Sequence, residues 1–316
     1  MDEPRSAPDW QDAVARRTLV FDRIGHNRRM TVVLFVAFFS LAGGLAWLLA
    51  VGFALGTGAL AVFGVILIAY GVFAYFGSTS VVLSISGAHE VTKDDEWEFV
   101  RRVENLSIGA GLPMPRTWVL EDSAPNAFAT GTTPKHAHVV VTRGLLDKLE
   151  PAELEGVLAH ELSHIGNNDI RVMTIVTVLV GVIALVSDLA LRFTWMGAGS
   201  RRSNKGKGGN GGALLLVVAI VGALLAPVVA QLIRMAVSRQ REYLADASGA
   251  LLCRNPDALA RALEKIRDDH EPLEAANKAT AHLYIANPLR DHASALNGLF
   301  ATHPDVDDRI KLLRTM

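Results

Sequence analysis

Glu153-Leu154-Glu155-Gly156-Val157-Leu158-Ala159-His160-Glu161-Leu162-Ser163-His164 is the stretch on which the reading of this chain turns. It holds good helix formers, and Pro151 just ahead of it suits the first position of a helix. On a helix, residues four apart lie within about 40° of each other and roughly 6 Å apart along the axis. The imidazoles of His160 and His164 can therefore reach one ion, at the ~2.0–2.1 Å typical of zinc–imidazole bonds. Glu161 projects to the side of that ion. A carboxylate there can take a proton from attacking water and pass it to a leaving amine. Zinc brings the pKa of such a water to about 7.

A catalytic zinc usually takes three protein ligands. Asn167 and Ile170 stand where an extended motif would need a glycine and a third histidine, so the third ligand must come from another segment. The chain has a single cysteine, Cys253, which excludes an intrachain disulfide and a thiolate zinc site. We read Cys253 as a small hydrophobe. Arg239-Gln240-Arg241-Glu242-Tyr243-Leu244-Ala245-Asp246 places two carboxylates four apart on an expected helix. Glu242 is the candidate third ligand. Asp246 is the candidate acceptor for the free ring nitrogen of a ligating histidine, a contact that fixes the ring. Taken alone, the segment also fits an exposed helix end, with Arg239 or Arg241 paired to Asp246.

The chain has 316 residues, half of them hydrophobic, with a mean hydropathy of +0.28. Its net charge of −1 argues against a nucleic-acid partner. The hydrophobic excess is concentrated. Residues 30–76 are almost free of charge and fit two membrane spans, at about 30–51 and 58–76, with the turn among Gly52, Gly56 and Gly58. Val172–Leu191 and Ala213–Ile233 are two further apolar runs, each about 30 Å long as a helix. They fit either a second pair of spans or a buried helical hairpin, and their length and charge pattern favour lipid.

Arg16, Arg17, Arg23, Arg28 and Arg29 precede the first run, which puts the N-terminal segment in the cytoplasm. Arg192, Arg201, Arg202, Lys205 and Lys207 in the later loop oppose a simple second crossing. His164 and Glu242 must nevertheless meet, so the chain between them crosses the bilayer an even number of times. Residues 197–212 read as a flexible Gly- and Lys-rich linker or as a contact for anionic lipid head groups.

The remaining charge lies in 77–171 and 236–316. Thr92 with Asp95 resembles a helix start, leading into an amphipathic stretch through Trp97, Val100, Val103 and Leu106. Thr117–Leu120, Ala127–Thr130 and His138–Thr142 are short, rich in β-formers and separated by breakers, which predicts a small, mainly antiparallel sheet. Helices are expected to begin near Asn255-Pro256 and Pro304. The other histidines, among them His138 and His282, read as surface or packing residues.

These pieces together resemble the HtpX-like branch of the M48 metallopeptidases. The resemblance rests on His160–His164, on Glu242 with Asp246, on Asn126-Ala127-Phe128-Ala129-Thr130-Gly131, and on Thr302-His303-Pro304 followed by Arg309. With the two apolar pairs it extends from about residue 30 to the end. It implies an integral-membrane, ATP-independent zinc endopeptidase with one Zn2+ per chain. Its active site would face the cytoplasm at the inner membrane of a bacterium, and its substrates would be polypeptides, above all misfolded or damaged membrane proteins. It also implies that Asn126, Ala127, Phe128 and Ala129 form an edge strand for an extended substrate. His303 becomes a candidate to stabilise the oxyanion, or else a helix-start residue packed on Pro304. Arg309 reads by default as a solvated helical arginine.

The expected protein is thus of the α+β class and mostly helical, with four transmembrane helices and a zincin-like cytoplasmic catalytic domain. Its parts are a cytoplasmic segment at 1–29, a transmembrane hairpin at 30–76, the first catalytic part at 77–171, a second hairpin at 172–235 and the second catalytic part at 236–316. Two rival readings are a CAAX-type prenyl-protein peptidase and a non-catalytic zinc-containing membrane scaffold. A transporter is disfavoured because the spans carry almost no internal charge.

Overall fold

The computed structural model describes residues 25, 29–33, 35–40, 43–44, 47, 56–179, 239–276, 280–286 and 304–316. The loop at 197–212, the apolar run at 213–233, residues 180–191 and His303 lie outside these. The described chain is mostly helical, with one four-stranded sheet.

Helix α1 (Gly56–Phe76) is free of charge and is followed by α2 (Ser78–Ser86). No single helix among the described residues is long and apolar enough by itself to cross a membrane. One bent pair, Gly64–Phe76 with Ser78–Ser86 at 67°, passes by length and composition. Helical residues at 35–40 pack on the α1 end, where Phe38 meets Tyr70 with ring centroids 5.7 Å apart. Ile175, Val178 and Leu179, in the helical stretch 169–179, complete that cluster.

The sheet contains β1 (His89–Glu90), β2 (Arg116–Leu120), β3 (Ala127–Gly131) and β4 (Ala137–Thr142) in the order β1-β2-β4-β3. β3 and β4 form an antiparallel pair, whereas β2 and β4 run parallel, with Trp118 opposite Val140. With β1 and β2 also antiparallel, two of the three pairings are as expected and the central one is parallel, so the sheet is mixed. The physical reason lies in the connections. β4 turns back on β3 and slides between β3 and β2, so it meets a strand that already runs its own way. The alternation of side chains then splits the two faces. Ala127, Ala129, Val139 and Val141 face the main core, while Phe128 and Val140 face α2, Met173, Leu283 and Tyr284.

The main core is built around α5 (Pro151–Gly166), which follows the short α4 (Arg143–Lys148). Glu150 and Glu153 form a reciprocal capping box at its start, with Pro151 at the first position. Leu154, Val157, Leu158, Leu162 and Ile165 bury several faces of α5 at once. They pack against α3 (Trp97–Ala110), α6 (Arg239–Cys253), α7 (Pro256–Asp268) and strands β3 and β4. The last described helix, α8 (Val306–Leu313), lies on α7 and α6.

Two glycines set the spacing. A Cβ on Gly249 would come within 2.9 Å of the His160 nitrogen, and one on Gly156 within 3.0 Å of the Leu259 Cα. Both helices thus approach α5 main chain to main chain.

Two local expectations shift. Thr92 and Asp95 bond each other in the turn before α3, where Thr92 Oγ1 donates to Asp95 at 2.8 Å, and the helix begins at Trp97. Trp97 itself is 54% exposed, flanked by Lys93 and Arg101, and Phe99 takes the buried position.

Candidate metal centre

α5 presents His160 and His164 one turn apart, and α6 brings Glu242 against them. The two Nε2 atoms are 3.2 Å apart. Glu242 Oε1 lies 3.7 Å from His164 Nε2, and Glu242 Oε2 lies 3.9 Å from His160 Nε2. Four ligands around zinc at ~2.0–2.1 Å stand about 3.3–3.4 Å from one another, by the geometry of a tetrahedron. With one donor atom taken from each residue, the three lie within 4.8 Å of one another, close enough to share one ion.

The far side of each ring supports the same orientation. His160 Nδ1 lies 2.9 Å from Asp246 Oδ1, and His164 Nδ1 lies 3.1 Å from Asp169 Oδ2. A carboxylate only accepts, so an Nδ1 hydrogen suits each contact, and Nε2 is the nitrogen left free to ligate a cation.

Charge gives an independent test. Glu161, Glu242, Asp169 and Asp246 are all buried here, and the buried guanidiniums among them are Arg241 and Arg309. Four carboxylates lie among two guanidiniums, an acidic surrounding that favours a bound cation. Buried charge is tolerated only when paired or metal-bound. The donor set therefore fits zinc.

Arg309 is fully buried and bonds both Asp246 oxygens, with Nε at 2.8 Å and Nη2 at 2.7 Å. Its Nη1 donates to the Ile285 carbonyl at 2.9 Å. It is thus a structural member of the centre and not a solvated helical arginine. Burial opposes ionisation of Asp246, but Arg309 and the His160 ring outweigh it and hold the carboxyl down to about 2. Glu161 lies beside the three donors and accepts from the Ala129 amide on β3. Its pKa is pushed up to about 7, mainly by burial, with Glu242 adding to the rise and His164 and Arg309 opposing it. For His164, burial favours the neutral ring, but the Asp169 hydrogen bond and the Glu242 carboxylate prevail and raise it to about 9.

Asn126, Ala127, Phe128 and Ala129 are buried along the outer edge of the sheet, next to α5. Their edge groups have partners. Ile285 donates its amide to the Ala127 carbonyl at 2.9 Å, and Asn126 Nδ2 donates to the Ala286 carbonyl at 3.1 Å. Tyr284 packs edge-on against Phe128, with ring centroids 5.0 Å apart. The segment 284–286 thus lies alongside the strand.

Asp169 is the residue that sequence reasoning missed. It follows His164 by five positions, beyond the end of α5, where helical spacing no longer applies. The Asn167-Asn168 pair directly before it was the available signal, since asparagine tolerates the left-handed turn that reverses a chain. Arg241 lies 4.0 Å from Asp169 and not on Asp246, against the intrahelical pairing considered from sequence. His138 accepts from Trp118 Nε1 at 2.9 Å, and His282 is buried beside Thr177, both away from the centre. Cys253 is half-buried against the main core.

Comparison with known proteins agrees with this chemistry. The model of peptidase family M48 matches residues 93–316. A protein described as "Protease HtpX homolog" from Thermoanaerobacter pseudethanolicus is 39% identical over 303 residues, covering 96% of this chain and 99% of that one. Another of the same description, from Dictyoglomus thermophilum, is 47% identical over 244 residues, 77% of each chain. The crystal structure of S. mikatae Ste24p aligns with 96% of this chain and 65% of its own, at 19% identity and a TM-score of 0.46, a likeness too loose to argue from.

Proposed function

The chain belongs to peptidase family M48 and is a membrane metalloprotease, and from that premise we propose how its residues perform the reaction. His160, His164 and Glu242 hold one zinc ion, with Asp246 and Asp169 behind the two rings. Zinc supplies a Lewis acid for the scissile carbonyl and acidifies water. Glu161 is the general base: a carboxylate oxygen takes the proton from attacking water and delivers it to the nitrogen of the departing amine. Burial excludes competing solvent.

An extended polypeptide substrate lies along β3, beside Glu161. To pair there it exchanges its own main chain for that of 284–286 at Asn126 and Ala127. His303 directly precedes Pro304, which is buried, and Arg309 of the same tail reaches the centre. These neighbours support His303 as the donor that stabilises the oxyanion.

The chain is anchored by four spans at about 30–51, 58–76, 172–191 and 213–233, in the inner membrane of a bacterium. The active site faces the cytoplasm, and the substrates are misfolded or damaged membrane proteins. The apolar residues that α1 leaves exposed, such as Val65, Ile68 and Phe76 at 68%, 67% and 75%, support its place in lipid.

The observation that carries this reading is the convergence of one donor atom each from His160, His164 and Glu242 within 4.8 Å, with Glu161 alongside. The test uses full-length protein in detergent, with metal analysis and a casein assay beside a prenylated peptide. The wild type is expected to bind one zinc per chain and to cleave casein until a chelator is added. Glu161→Gln is expected to keep its zinc and lose about 10²–10⁴-fold in turnover. Wild-type turnover by Glu161→Gln would overturn the mechanism, cleavage of the prenylated peptide alone would favour the CAAX-type rival, and zinc without cleavage would favour the scaffold.

A further inference from the structure

Each ring of the histidine pair rests on an aspartate, and the two aspartates are held differently. Asp246 belongs to α6 and is clamped by Arg309. Asp169 belongs to neither ligand helix. The chain places it by a specific device. Helix α5 ends at Gly166, Asn167 caps it at φ −79° and ψ −1°, and Asn168 takes the left-handed conformation at φ 56°. The Asn168 amide donates back to the Ile165 carbonyl at 3.1 Å. This single reversal carries the next residue back beneath the last turn of α5, and the helical stretch 169–179 begins there.

Asp169 is 1% exposed and lies between Asn168 and Ile170, which is fully buried. A carboxylate is not carried into such surroundings without partners. One oxygen faces His164 Nδ1 at 3.1 Å. The other faces Arg241 Nη1 at 4.0 Å, and Arg241 directly precedes Glu242 on α6. The aspartate therefore stands between the helix that bears the histidines and the helix that bears the glutamate.

We propose that Asp169 is a positioning residue for the metal centre: it fixes the His164 ring with Nδ1–H toward itself and the Nε2 lone pair toward His160 and Glu242. The inference rests on His160, His164 and Glu242 being the metal ligands. Asp169 does not touch substrate or the reacting atoms. Its effect is on how tightly the three donors hold their ion.

The test measures zinc affinity by competition with a chromophoric chelator in the detergent-solubilised full chain, and cobalt(II) absorption as a report on coordination geometry. Asp169→Ala is expected to weaken zinc binding about 10–100-fold. Asp169→Asn, nearly the same shape and still able to accept the ring N–H, is expected to lose several-fold less and to keep a cobalt spectrum close to the wild type. Asn168→Gly, which eases the left-handed turn and leaves the carboxylate in place, is expected to keep wild-type affinity. A folded Asp169→Ala that binds zinc within twofold of the wild type, with only a lower melting temperature, would overturn the proposal and leave Asp169 a structural residue. If Asp169→Ala does not fold, Asp169→Leu, of similar outline but unable to accept the ring N–H, decides: zinc affinity within twofold of wild type overturns the proposal. Failure of the wild type itself to bind zinc would instead overturn the ligand assignment.

Discussion

The metal centre and helix α1 each invert what a water-soluble protein does with its residues. Around His160 and His164, six charged side chains are withdrawn from solvent: Glu161, Asp169, Arg241, Glu242, Asp246 and Arg309. Along α1 the opposite holds. Val62, Val65, Ile66, Ile68 and Phe76 are each more than half exposed. Each inversion is costly in water and is relieved by a partner of matching chemistry, a divalent cation for the first and hydrocarbon for the second. The comparison teaches that burial alone does not identify a core. The chemistry of what is buried or exposed says which partner a surface was built for.

The buried side of the comparison breaks most readily at Arg309. Arg309→Met leaves the Asp246 carboxylate buried without its guanidinium, and is expected to cost about 3–5 kcal/mol of stability in denaturant unfolding. Adding Asp246→Asn is expected to restore a large part of that loss. A single variant as stable as the wild type would mean that Asp246 is not held as a charge. The exposed side is tested at Ile68. Ile68→Lys places an ammonium near the middle of the apolar run, and in lipid should cost about 2.5–3.5 kcal/mol of insertion, read as a smaller membrane-integrated fraction. A helix facing water would tolerate the change within about 0.5 kcal/mol. The smallest effect is expected at the seam between α5 and α6. Gly249→Ala adds a methyl group against the His160 main chain, with an expected cost of about 1–3 kcal/mol and weaker zinc binding in the same titration.

Much of the fold was legible in the sequence where the signal was local. α5 announced itself by Pro151 and by apolar residues at helical spacing, and the strands at 116–120, 127–131 and 137–142 fall within a residue of their expected places. Pairing order was not legible. Nothing near β4 in the sequence says that it inserts between β2 and β3, because that choice is made by which faces the packed helices cover. Trp97 fits an amphipathic stripe, yet the adjacent Phe99 is the aromatic that reaches the core.

The site divides along the same line. The spacing of His160 and His164, and of Glu242 and Asp246, is a property of single helices and could be read directly. Arg309 meets Asp246 across 63 residues, and Asp169 reaches His164 around a left-handed turn. Neither contact has a periodicity to betray it, although Asn167-Asn168 behind a helix end marks the place where the second could arise.

The glycine seam has a consequence for ionic size. Because α5 and α6 meet backbone to backbone at His160 and Gly249, main-chain contact sets the short span across which the imidazoles and Glu242 face one another. Calcium asks for oxygen donors at about 2.3–2.6 Å and for six to eight of them. Two nitrogens and one carboxylate drawn together by that seam fall short of such a shell, so the close approach of two peptide backbones favours a small ion with few ligands over calcium.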